Sequence, residues 1–215
     1  MKYLKNERGN GLIFMLWIMV VSIAICVIVL NIAKVYIVKQ QAATATQQAA
    51  IAGTLEYVNA AKKALSAFDD LLVEEDTEDE DILSWTELVD KKAGENESRG
   101  QLKEIAYINA LNDIFPVIKN VYPDDYLRIM ESNLIPIEAE VRNTVEKVIL
   151  ENDGNLKRFK VNLVLPDYRI EVKASVTYES ITDSSEEFIE SMEKEVRQKG
   201  SGPPLPFLKG VISGW

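Results

Sequence analysis

Residues Leu12 to Leu30 read LIFMLWIMVVSIAICVIVL, nineteen consecutive positions whose only clearly polar side chain is Ser22. The uncharged stretch is longer still, from Gly9 to Ala33. At the α-helical rise, about 20 residues cross a hydrocarbon layer roughly 30 Å thick. A helix buried in a soluble core normally keeps a polar stripe, and this one has none. The pattern predicts a transmembrane helix over 12–33, behind a short tip at 1–11 that carries Lys2, Lys5 and Arg8 against Glu7. By the positive-inside rule that tip stays in the cytoplasm. The rest of the chain is then extracytoplasmic, on a single-pass protein of the cell membrane.

A cleaved leader has a shorter apolar region followed closely by a small-x-small site. Here the nearest such site, Ala43-Thr44-Ala45, lies well beyond the apolar run, and bulky Ile25 precedes Cys26 where lipoprotein processing needs a small residue. A retained signal anchor is the expectation, with Cys26 a small apolar residue of the span.

Composition removes several chemistries. The 215 residues include no histidine and one cysteine, so a Ser-His-Asp triad, a Cys-His dyad, an imidazole metal site, an intramolecular disulfide and a thiolate zinc cluster are all ruled out. With 24 Lys+Arg against 34 Asp+Glu, the net charge of -10 argues against a nucleic-acid partner, since phosphate binding needs clustered cations. No phosphate loop, nucleophile elbow or nucleotide fingerprint occurs. No carboxylate pair stands out for acid-base work. No enzyme activity, cofactor or small-molecule ligand is indicated.

Beyond the span, residues 34–72 lack proline and contain one glycine, Gly53. Alanine, glutamine, lysine and leucine are strong helix formers, so the span should run on as one long helix to about residue 72. Val35, Val38, Ala42, Ala45, Ala49 and Ala52 recur at spacings of three and four. Val58, Ala61, Leu65, Phe68 and Leu72 continue the rhythm after a small phase change. Small side chains allow close helix approach, which suits assembly with other helices. The same stripe would also serve to pack on the chain's own outer domain, and both uses stay open.

A family resemblance rests on this N-terminal region. Glu7-Arg8-Gly9-Asn10-Gly11, then one span, then Asn31 to Gln41 around Tyr36 with Gln40 and Gln41, then the Ala-rich run to Gly53, is similar to TadE/TadG-like proteins of the tight-adherence (Tad, or Flp) pilus machinery. The resemblance covers about residues 5–60. It implies a pilin-like long helix and a structural role beside pilus or secretion-system membrane proteins. Processed pseudopilins of that family carry a glutamate five residues after the cut. Here that position is Phe14 for a cut after Gly9, or Leu16 for a cut after Gly11. The chain therefore resembles the unprocessed, TadG-like members.

The outer part reads as α+β. Residues 73–100 are expected to form an acidic loop region, because Glu74 to Asp81 (EEDTEDED) holds seven acids in eight positions. Asp76, Glu78, Glu80 and Glu87 fall in an EF-hand register, but Asp81 stands where the turn needs glycine, so weak surface association with divalent cations is the better reading. Residues 101–200 are expected to form the α+β domain. It begins with a helix over Gln101–Phe115 stopped by Pro116, then a short helix over Asp124–Ser132, then a third stripe through Ile137, Val141, Val145, Val148 and Ile149. Alternation through Phe159–Leu165 and Ile170–Tyr178 predicts an antiparallel β-hairpin turning at Pro166-Asp167, which needs a helix on its apolar face. Ser184-Ser185-Glu186-Glu187 fits a capping box for a last helix through Phe188, Ile189, Met192 and Val196, stopped at Gly200. The tail 201–215 is Pro-rich and apolar. Phe207, Leu208 and Trp215 either dock on the chain's own domain or meet a partner.

Two functions from different classes follow. The first is a non-enzymatic, pilin-like structural or assembly component, embedded in the lipid bilayer. The second is a membrane-tethered binding module unrelated to pili. A polar-lined pocket in the outer domain would favour the second, and an exposed alanine stripe the first.

Overall fold

The computed structural model describes residues 8–74, 83–178 and 194–212. The expected continuous helix is present as α1, Arg8–Glu74, which spans 67 residues, or about 100 Å at the helical rise. Nothing in its sequence interrupts it. There is no proline, and Gly53 is buried where a Cβ would stand 2.8 Å from Val145 Cγ2 and 3.3 Å from Ile170 Cγ2. That glycine is a packing requirement, and neighbouring contacts on both sides keep the helix intact.

Four helices surround the far end of α1: α2 (Trp85–Ser98), α3 (Lys103–Val121), α4 (Pro123–Leu134) and α5 (Glu138–Glu151). Helix α2 corrects the expectation of a loop over 73–100. Its start is a capping box in which Ser84 Oγ accepts from Glu87 N at 3.1 Å and Glu87 Oε2 accepts from Ser84 N at 2.9 Å. Asp69 of α1 also accepts from Trp85 N at 2.6 Å, tying this start to the helix it packs on. Of the EF-hand register only Glu87 is described, and its carboxylate is committed to the cap. Asp76, Glu78 and Glu80 lie outside the described residues.

Helix α3 runs through Pro116 instead of stopping there. Proline removes one backbone donor, but Phe115 and Ile118 are fully buried on either side of it, and that burial holds the helix together. Helix α5 ends before Asn152-Asp153-Gly154, with Gly154 N donating to Ile149 O at 2.8 Å.

The sheet has three strands in the order β1 (Asn155–Val164), β2 (Arg169–Tyr178) and β3 (Lys194–Ser201), all antiparallel. The hairpin is therefore extended by a third strand, and residues 194–200 correct the expected final helix. Val196 pairs with Val176 in the sheet. The capping box at Ser184–Glu187, with Phe188, Ile189 and Met192, lies outside the described residues. The apolar face of β2, carrying Ile170, Val172, Ala174 and Val176, is covered by α1, while α5 packs against α1 and β1.

One core joins the two layers. Ala45, Ala49, Tyr57, Leu65 and Phe68 of α1 share it with Phe115 and Ile118 of α3, Val141 and Val145 of α5, and Ile170 and Val172 of β2. Phe68 lies between the rings of Tyr122 and Tyr126, with centroids 6.2 and 6.0 Å away.

Candidate functional site

Helix α1 is the element on which function must turn, because it changes environment along its length. From Leu12 to Ile32 the large apolar side chains, Val27 apart, are 50–74% exposed. The most apolar window of α1 is not buried by any of the described residues, and the helix is long and apolar enough to cross a membrane. Asn31 Nδ2 donates to Val27 O at 3.1 Å, one turn back along the helix. Cys26 is free and exposed.

The expected assembly face divides at residue 38. Val35 is exposed and Ala52 half-buried, whereas Val38, Ala42, Ala45 and Ala49 are buried within the chain. Of the two uses left open for the stripe, packing on the chain's own domain is the one those four residues serve. The small side chains let β3 approach very closely. A Cβ at Gly200 would collide with the Thr46 backbone carbonyl, and one at Gly202 with Thr54 Oγ1. Thr46 and Thr54 turn their hydroxyls back to Ala42 O and Ala50 O at 2.9 and 2.8 Å, so neither leaves a buried polar group unpaired. At the strand's end Gln47 Nε2 donates to Ser201 O at 2.9 Å and Gln47 Oε1 accepts from Ser201 N, extending the ladder onto the helix.

The other motif residues spread along the same helix. Arg8, Gly9, Asn10 and Gly11 form its first turn. Tyr36 and Gln40 are exposed, while Gln41 Nε2 donates to Asp153 Oδ2 at 3.1 Å beyond α5. Gly53 seats α5 against α1.

The apolar tail corrects the partner-contact alternative at two positions. Phe207 and Leu208 are buried in the chain's own core, with the Phe207 ring stacked on Phe115 at 5.2 Å between centroids. Asn112 holds the segment from both sides, accepting from Phe207 N and donating to Pro204 O. Trp215 lies outside the described residues.

A cleft of about 520 Å³ opens where α1, α3 and the segment after β3 meet. Ile51, Leu55, Leu102, Ile105, Pro203 and Pro204 supply most of its wall. Its polar rim includes Gln47, already bonded to Ser201, and Thr54, already bonded to Ala50. Among the described residues, no three Cys, Asp or Glu side chains converge into a set that could hold a metal ion.

Charge on the solvent face of the sheet was not singled out from the sequence. Glu171 of β2 stands between two lysines, with Lys173 Nζ 2.9 Å and Lys199 Nζ 2.5 Å from its carboxylate oxygens. Burial pushes the Glu171 carboxyl up, but the Lys199 and Lys173 hydrogen bonds outweigh it and hold the group below its ordinary value.

A helix with a bare apolar lower part and an upper part threaded through an α+β domain defines a helix-anchored, domain-bearing class of protein. Residues 9–62, a quarter of the chain, match the model of a family described as putative Flp pilus-assembly TadE/G-like. Over that segment the chain is similar to TadE/G-like proteins, in agreement with the family resemblance read from its N-terminal region. No curated protein and no solved structure matches it.

Proposed function

We propose that the protein is a non-enzymatic, pilin-like component of a Tad/Flp-type pilus or a related secretion system. It is held in the cell membrane by residues 12–33, with the N-terminal tip in the cytoplasm and the acidic α+β domain outside. The observation that carries this reading is the coincidence of the family match with the change of environment along α1. The matched 9–62 segment contains both the bare apolar part and the alanine-faced part that seats the sheet. Pilus or secretion-system membrane proteins would then meet the chain through the bare part, since the alanine stripe above residue 38 is occupied. The cleft beside α1 is mainly apolar, and its polar rim is largely satisfied internally. It therefore gives little support to the tethered binding module.

The test is affinity purification of the native protein from its own membranes, with co-purifying proteins and the mature N-terminus identified by mass spectrometry. Pilus ATPase, platform or pilin subunits should be recovered with residues 1–11 intact. Recovery of the protein alone, or with an unrelated envelope protein, would remove the pilus assignment. A chain beginning at Asn10 or Leu12 would replace the unprocessed reading with pseudopilin processing.

A further inference from the structure

The seat of the sheet on α1 fixes its height above the bare segment. At one end Ile170 Cγ2 would stand 3.3 Å from a Cβ at Gly53, and at the other Val176 is buried with Val38 and Ala42. Ile170 to Val176 is six residue steps of strand, about 20 Å. Gly53 back to the middle of the Val38–Ala42 turn is thirteen steps of helix, also about 20 Å. Equal advance means that β2 lies along the helix axis and descends toward the bare segment. The run from Val196 up to Gly202, which lies against Ala50 and Thr54, has the same alignment. Tyr178 and its strand partner Lys194 come two residues past Val176, about 7 Å lower. That is the level of Tyr36.

Tyr36 also marks a boundary of its own. Along residues 8–37, two aromatic side chains have a polar tip, Trp17 and Tyr36, and they are 63% and 69% exposed. Tryptophan and tyrosine gather at the two faces of a membrane. The nineteen helical steps between them advance about 29 Å, close to the roughly 30 Å of a hydrocarbon layer. Lys34 lies about half a turn below Tyr36, and a lysine stem is long enough to carry its charge up to the headgroups.

We propose that the lower end of the sheet rests in the headgroup layer of the bilayer that α1 crosses. Neutral phospholipid headgroups are then partners of β2 and β3 as well as of the helix. The headgroup layer is about 5–8 Å deep on each side. The lowest sheet contacts on α1, at Val38 and Ala42, stand about 3 and 9 Å above Tyr36, so no water gap separates domain from membrane. Charge does not select the lipid. The connection that leaves this end, residues 179–193, holds six acids against Lys34, Lys39, Lys194 and Arg197. The excess is negative and disfavours anionic headgroups. The inference rests on the membrane-anchored reading above and adds the leaflet surface to it.

The test places the full-length chain in phosphatidylcholine nanodiscs doped with a photoactivatable phosphatidylcholine. The diazirine sits either on the choline headgroup or in mid-chain, and adducts are located by mass spectrometry. The mid-chain probe should mark residues within 17–35. The headgroup probe should mark 36–40 of α1 together with 176–178 and 194–197 of the sheet, at least fivefold above the background on α2. Inserting seven polar, helix-forming residues after Ile37 lifts the domain about 10 Å and turns it by nearly two whole turns. That insertion should cut the sheet adducts at least fivefold and leave those at Tyr36 in place.

Headgroup adducts on α1 alone would overturn the inference, as would sheet adducts that survive the insertion. Sheet adducts that appear only after phosphatidylglycerol is added would also overturn it, by assigning the contact to charge. Absence of mid-chain adducts over 17–33 would instead remove the anchored reading itself, so the two failures are told apart by the two probes.

Discussion

The two ends of α1 use one secondary structure to solve two solvation problems. From Leu12 to Leu30 the helix is apolar on every side, and no residue of that stretch is buried by the described residues. Above it, the helix is amphipathic, and its apolar stripe is covered by the sheet and by α2 to α5. Phe14 and Phe68 illustrate the contrast, the first 66% exposed and the second fully buried between two tyrosines. What differs is the neighbourhood that the rest of the chain provides, since backbone geometry is the same at both positions. Hydrophobicity alone therefore does not say which part of this helix holds the domain together.

The largest effect should come from testing that contrast directly. Phe68→Ala should destabilise the outer domain by about 3–5 kcal/mol, through lost burial and the cavity left behind. Phe14→Ala should change it by less than about 0.5 kcal/mol. Denaturant unfolding in a neutral detergent, followed by tryptophan fluorescence, reads both. Equal effects would mean that the lower helix is part of the cooperative unit.

A second comparison sets two glycines against each other. Gly200→Val places carbon where the Thr46 backbone already stands, and should cost about 1–3 kcal/mol or more as β3 is pushed from α1. Gly94, on the exposed side of α2, has nothing within 4 Å, and Gly94→Ala should stabilise by roughly 0.5–1 kcal/mol through helix propensity. Thermal melts of the two variants should move in opposite directions. A neutral Gly200→Val would show that the helix–sheet seat is looser than the alanine stripe implies.

The smallest effect concerns Glu171. Its folded pKa lies below the unfolded carboxylate value, so its contribution is fully present above about pH 4.3 and is lost as the pH falls through the folded value. Both lysine partners are about half exposed, which limits the contribution to below about 1 kcal/mol. Glu171→Gln should therefore be slightly less stable than the parent at pH 7, and the gap should close on acidification. A gap that widens in acid would mean that burial, and not the lysines, governs this group.

Much of this was legible from residue spacing. The alanine and valine stripe marked a packing face of α1 without saying what covers it, and the alternation of Ile170, Val172, Ala174 and Val176 announced β2. The final strand was not legible, for a physical reason. Its inward positions are Val196, Gln198 and Gly200, one of them polar and one without a side chain because the α1 backbone lies against it. The strand therefore has almost no apolar alternation, and Gly200 reads as a helix stop. The usable signal was on the other face, where Arg197 and Lys199 alternate with those inward positions. Helix α2 was hidden by the acids before it, although Ser84-Trp85-Thr86-Glu87 spells its cap. Pro116 misled because a local rule was overridden by burial on both sides. The buried fate of Phe207 and Leu208 depended on a ring 92 residues away in sequence, Phe115, which no local pattern could reveal.

The uninterrupted course of α1 also has a mechanical consequence. Only four residues, 34–37, separate the uncharged window from the first buried contact at Val38, and no glycine or proline lies between Leu12 and Ala52. The helix has no joint there, so it acts as a drive shaft. Advancing the lower end by one residue lifts the whole domain about 1.5 Å and, if the helix follows its own screw, turns it by about 100°. Whatever grips the bare segment thereby controls the height and heading of the outer domain, and a push delivered at one end arrives undamped at the other.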